Sequence, residues 1–83
     1  MSMVIKVQWE DGRPCQGTRV TAWIDGQGND EAYTNYNGEA FFTYGPGYGT
    51  IYCDGQQVRQ RNLSSHEIIT CRQSGIFGGY TYH

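Results

Sequence analysis

Apolar and polar residues alternate with period two in the first part of the chain. Ile5, Val7 and Trp9 fall on one side of an extended backbone and Val4, Lys6 and Gln8 on the other. The alternation returns further on, with Val20, Ala22 and Ile24 facing a core and Arg19, Thr21 and Trp23 facing away. Short segments of this kind run Met3 to Trp9, Thr18 to Asp25, Glu31 to Tyr36, Glu39 to Tyr44, Tyr48 to Cys53, Gln56 to Arg61 and His66 to Arg72. Four Asx-Gly pairs, Asp11-Gly12, Asp25-Gly26, Asn37-Gly38 and Asp54-Gly55, supply backbone that tolerates positive φ where a chain reverses. The pattern predicts seven strands. A hairpin is expected around Asn37-Gly38, with Ala32 and Thr34 inward opposite Ala40 and Phe42; Ile51, Cys53, Val58, Ile69 and Cys71 complete the expected core, with Gly49 between sheet and neighbour.

Ser74 to His83 has a different character, rich in glycine and aromatic residues and without an acidic side chain. The expected organisation is therefore a β domain over residues 1–73 and a tail over 74–83. Eighty-three residues suffice for one modest core, since a domain of this size buries only about 60% of its unfolded surface. With 37% hydrophobic and 17% charged residues, the composition is that of a folding chain.

A formal charge of −2 lacks the basic footprint of a dedicated nucleic-acid binder, so neither DNA nor RNA is an expected partner. The chain as given shows no signal peptide and no apolar run long enough to span a membrane, so no membrane partner is expected. Cys15, Cys53 and Cys71 are odd in number and lack metal-ligand spacing; free thiols are expected, and a Cys53 to Cys71 bridge stays open. No cofactor or metal is indicated.

The run Gly12-Arg13-Pro14-Cys15-Gln16-Gly17-Thr18-Arg19-Val20, then Thr34, Asn37-Gly38-Glu39-Ala40-Phe41-Phe42 and Pro46-Gly47-Tyr48, resembles the carboxypeptidase regulatory-like and transthyretin-like (prealbumin-like) domains, including the Cna B-type modules. The resemblance spans roughly residues 4 to 72. It implies an all-β fold, an Ig-like or prealbumin-like antiparallel sandwich of seven strands, and an accessory, adhesive, stalk or carrier role. Cna B-type domains can hold a Lys to Asn isopeptide bond, but Lys6, the only lysine, has outward parity and the last strand offers no Asn or Asp. The enzyme of the fold, a transthyretin-like hydrolase, places a histidine in the first strand and ends Tyr-Arg-Gly-Ser, whereas this chain has no such histidine and ends Tyr80-Thr81-Tyr82-His83.

No set of catalytic residues emerges. Ser65-His66-Glu67 lies along one strand, where neighbours face opposite ways and cannot converge as a triad does. The candidate contact residues are the aromatics that parity leaves outside the core: Trp23, Tyr33, Phe41, Tyr48 and Tyr52. Phe77, Tyr80 and Tyr82 give the tail grip for adding a strand to a sheet edge, in cis or in a second molecule. Arg59 and Arg61 share a face, with Arg72 on a neighbouring strand, as a basic strip. The expected function is a non-catalytic module for protein binding or self-association, with carbohydrate binding and a transthyretin-like hydrolase as alternatives.

Overall fold

The computed structural model describes residues 2–73 and 79–83, and these form strands and turns without a helix. Eight strands run β1 (Met3–Trp9), β2 (Arg19–Ile24), β3 (Gly28–Tyr33), β4 (Glu39–Phe42), β5 (Gly47–Cys53), β6 (Gln56–Leu63), β7 (His66–Gln73) and β8 (Tyr80–Tyr82). They make two four-stranded sheets, ordered β4-β1-β7-β8 (sheet A) and β3-β2-β5-β6 (sheet B). The all-β architecture expected from the alternation is present. The count of seven is corrected to eight, because residues 80–82 pair with β7 through Cys71 and Tyr82, Arg72 and Thr81, and Gln73 and Tyr80.

The sandwich is also not uniformly antiparallel, since β1 and β7 run parallel, with Val7 beside Ile69 and Trp9 beside Cys71. Such a pair needs a long crossover, and the intervening chain supplies it by building all of sheet B. Inward parity along β1, β2, β5 and β7 buries Ile5, Val7, Val20, Ala22, Ile24, Ile51, Cys53, Ile69 and Cys71 between the sheets. Ala32, Trp9 and Val58 pack against this core while half-buried.

Two features of the expected strand plan differ, for identifiable reasons. The third strand spans Gly28–Tyr33 rather than Glu31 to Tyr36, because Asp25-Gly26-Gln27 closes a tight turn through the Gln27 N–H to the Ile24 carbonyl, 3.0 Å, and pairing with β2 begins at once. The Asn37-Gly38 pair does turn the chain, but not into a hairpin. β3 belongs to sheet B and β4 to sheet A, where it pairs with β1. The Asn35 side-chain oxygen accepts from the Asn37 and Glu39 N–H groups at 2.9 and 3.1 Å, forming the corner at which the chain changes sheets. Gly38 is required there: its φ is 78°, and a Cβ would lie 2.5 Å from the Val7 carbonyl oxygen.

Residues singled out by the family-like motif tie this corner down. Buried Thr34 accepts from the Thr18 N–H at 2.8 Å and donates to the Cys15 carbonyl at 2.6 Å, while the Gly17 N–H donates to the Thr34 carbonyl at 2.9 Å. Asp54-Gly55 forms the expected two-residue turn between β5 and β6, with φ of 50° and 85°.

At the open edge between β6 and β7, Glu67 is buried, and its carboxylate accepts from Arg59 at 2.8 Å, Arg61 at 2.8 Å, the Ser64 N–H at 2.7 Å and the Ser64 hydroxyl at 2.9 Å. Burial pushes this carboxyl up, but the Ser64 backbone, Arg61, the Ser64 hydroxyl and Arg59 together outweigh it and hold it down to about 2. Sheet B thus reaches across to sheet A through paired charge. Arg59 and Arg61 do share a face, as expected, yet they form no free basic strip, and Arg72 stands 3.7 Å from Glu10 instead.

Candidate functional site

The five outer aromatics expected as contact residues are sorted by the structure onto two opposite surfaces. Trp23, Tyr48 and Tyr52 lie on the outer face of sheet B, with Tyr33 at its β3 edge, whereas Phe41 lies on the outer face of sheet A. Trp23 is 52% exposed, Tyr48 51%, Tyr33 63% and Phe41 59%, and Tyr52 is half-buried.

Register builds the sheet B face row by row. One row reads Asn29, Trp23, Thr50 and Gln60 across β3, β2, β5 and β6. The next reads Glu31, Thr21, Tyr52 and Gln57, and on the other side Tyr48 faces Asn62. Tyr48 and Tyr52 flank Thr50 along β5, so each is a diagonal neighbour of Trp23, about 7–8 Å away between Cα atoms. The rings therefore form a chevron on adjacent strands, with hydroxyls and amides in the gaps.

Two backbone features place these rings. Gly49 lies beside Ile24, and a Cβ there would come within 2.1 Å of the Trp23 carbonyl oxygen, so only glycine lets β2 and β5 approach at this row. One extra residue in β6, Val58, separates the Ile51–Arg59 pair from the Tyr52–Gln57 pair. That bulge leaves Gln57, Gln60 and Asn62 with the outer rings and turns Arg59 and Arg61 toward buried Glu67. Among the described residues, the side chains of Asn29, Thr21, Thr50, Gln57, Gln60 and Asn62 make no hydrogen bond, whereas those of Asp30, Asp54, Gln27 and Gln56 nearby do.

The outer face of sheet A is built from different chemistry. Phe41 pairs with Val4 and Val4 with His66; Glu39 pairs with Lys6 and Lys6 with Ile68. Ile68 is 53% exposed. Sequence reading passed over Ile68, although two consecutive isoleucines in one strand must face opposite ways. It weighed Glu67 only within the Ser65-His66-Glu67 triplet, although parity with Ile69 and Cys71 sets that carboxylate inside.

The tail residues divide likewise. Tyr80 stacks edge-on against Trp9 with ring centres 5.3 Å apart, and its carbonyl accepts from the Gln56 side chain at 2.9 Å. Tyr82 is half-buried and its hydroxyl donates to the Asp54 carboxylate at 2.5 Å, linking β8 in sheet A to the β5–β6 turn of sheet B. Burial first, then the Asp54 carboxylate, pushes this phenol well above its ordinary value. Phe77 lies outside the described residues.

His66 is exposed and points away from Glu67, so the Ser65-His66-Glu67 triplet diverges across the two faces of β7. Cys15, Cys53 and Cys71 are buried, unbridged thiols. Burial pushes Cys53 up to about 12 and Cys71 to about 11, which keeps both protonated at neutral pH. No protein-family model matches the chain, and comparisons with curated proteins and with solved structures return no match.

Proposed function

We propose that this chain is a non-catalytic, prealbumin-like β-sandwich module that binds its partner through the outer face of sheet B. The observation that carries this reading is the chevron of Trp23, Tyr48 and Tyr52, two of them about half exposed, over hydroxyl and amide groups that find no partner among the described residues. Large exposed rings grouped on one sheet face characterise contact surfaces. Support for the family-like part of the reading comes from the work done by its motif: Gly17, Thr18, Thr34 and Gly38 fasten the corner between the sheets. A tail committed in cis, through Tyr80 on Trp9 and Tyr82 on Asp54, favours the sheet face over the tail as the contact element.

Hydroxyl-radical footprinting tests the reading. Labelling of Trp23, Tyr48 and Tyr52 is compared between the purified protein and the same protein in an extract of its native source. Protection of these three, with Phe41 labelled equally in both, is expected; equal labelling of all four contradicts the proposal.

A further inference from the structure

The chemistry of this face narrows its ligand to one class, an assignment that rests on the reading of the face as the binding surface. We infer that the outer face of sheet B takes a neutral glycan, whose sugar rings stack on Trp23, Tyr48 and Tyr52 while hydroxyls meet Thr50, Gln60 and Asn62. Three observations converge on it.

Size comes first. From Tyr48 to Tyr52 the strip runs about 13 Å along β5, and from β2 to β6 about 10 Å across, roughly 130 Å² in all. A standard protein interface needs about 800 Å² from each partner. The three rings by themselves cover a small part of such a patch, and the strip is long enough for two or three pyranose rings.

Composition comes second. No outward position among these rows on β2, β5 and β6 is aliphatic; every gap between rings holds a hydroxyl or an amide. Amides and hydroxyls between exposed rings need donors and acceptors opposite them in any complex, since each one covered and left unmatched costs free energy. A sugar offers C–H faces to rings and hydroxyls, which donate and accept, to amides at its edges.

Charge comes third. The strip itself is uncharged, and its border holds Asp25 and Glu31 against Arg19. That excess of negative charge repels an acidic polysaccharide and leaves a neutral one unaffected.

Affinity electrophoresis of the full chain, in native gels containing soluble β-glucan, galactomannan or arabinoxylan, tests the assignment, with polygalacturonate as the anionic comparison. At least a twofold fall in mobility is expected in one or more of the neutral gels. Trp23→Ala restores the mobility seen without polysaccharide, Gln60→Ala at least halves the retardation, and Phe41→Ala leaves it unchanged. No retardation in any neutral gel, retardation in polygalacturonate alone, or equal retardation of Trp23→Ala overturns it. Because Trp23 and Phe41 are exposed, circular dichroism of both variants should match the parent and so separate lost binding from lost fold. If footprinting protects Trp23 and Tyr48 while no gel retards the chain, the glycan is overturned and the binding face stands; if neither occurs, both fall.

Discussion

The two outer faces of this sandwich each belong to a four-stranded sheet packed on one core, and they present opposite chemistry. Sheet A shows Val4, Phe41 and exposed Ile68 among Lys6, Glu39 and His66, a mixture of aliphatic surface and charge. Sheet B shows Trp23, Tyr48 and Tyr52 among threonines and amides, with no charged side chain between the rings on β2, β5 and β6. Sheet strands accept either set, so the fold does not require the difference. Inside, both sheets contribute aliphatic side chains and thiols to one core. Exposure alone, which Phe41 and Trp23 share at 59% and 52%, therefore does not define a site; the neighbours of the exposed ring do.

The comparison can be broken from inside the fold before it is tested at the surface. Gly49→Ala should have the largest effect, about 3 kcal/mol of lost stability, because the added Cβ meets the Trp23 backbone at 2.1 Å. Urea unfolding measures the loss. If the faces are separately supported, the same variant shifts the emission of Trp23 in a Trp9→Phe background and leaves that of Trp9 unchanged in a Trp23→Phe background.

Glu67 tests whether the sheets hold each other. Its pKa is lowered from 4.5 to about 2, so the folded state binds its proton less readily than the unfolded chain does. The resulting stability is fully present above pH about 4.5 and is lost as pH falls through about 2, a difference on the order of 3 kcal/mol. Glu67→Gln should lower stability at neutral pH by a similar amount and flatten the acid limb of the stability profile. An unchanged limb would show that the clamp on Arg59 and Arg61 does not join the sheets.

Ending the chain at Gln73 removes β8, its edge-on contact with Trp9 and the Tyr82–Asp54 hydrogen bond. A loss of about 2 kcal/mol is expected from these contacts, with Trp9 more open to acrylamide quenching and Trp23 unaltered. The smallest effects belong to the faces themselves. Trp23→Ala and Phe41→Ala should each change stability by about 0.5 kcal/mol or less in denaturant titrations, as surface substitutions usually do. A much larger loss for Trp23→Ala would mean that its ring supports the sheet, and sheet B would cease to be a candidate site.

Much of this architecture is legible in the sequence. Period-two alternation locates the inner positions of β1, β2, β5 and β7, and the outward positions of Trp23, Tyr48 and Phe41, because side-chain direction along a strand is local. Pairing is not local. Which strand lies beside which decides that Phe41 stands on the opposite surface from Trp23, that Asn37-Gly38 is a corner between sheets, and that β1 meets β7 in parallel. The polar half of the site is hidden for a related reason. Gln57, Gln60 and Asn62 read as an ordinary edge strand until the bulge at Val58 and the partners Tyr52, Thr50 and Tyr48 set them among the rings. Glu67 shows the converse: its inward parity is readable, but the two arginines and Ser64 that allow its burial come from across the fold and the preceding turn.

The difference between the faces is tested most directly by heteronuclear NMR on the full chain, titrated with a mixture of neutral gluco-, manno- and xylo-oligosaccharides. The predicted result is movement of the Trp23 indole N–H and the side-chain amides of Gln60 and Asn62, with the Val4 and Ile68 methyl signals unmoved. Movement confined to Val4, Phe41 and Ile68, or no movement on either face, would contradict it.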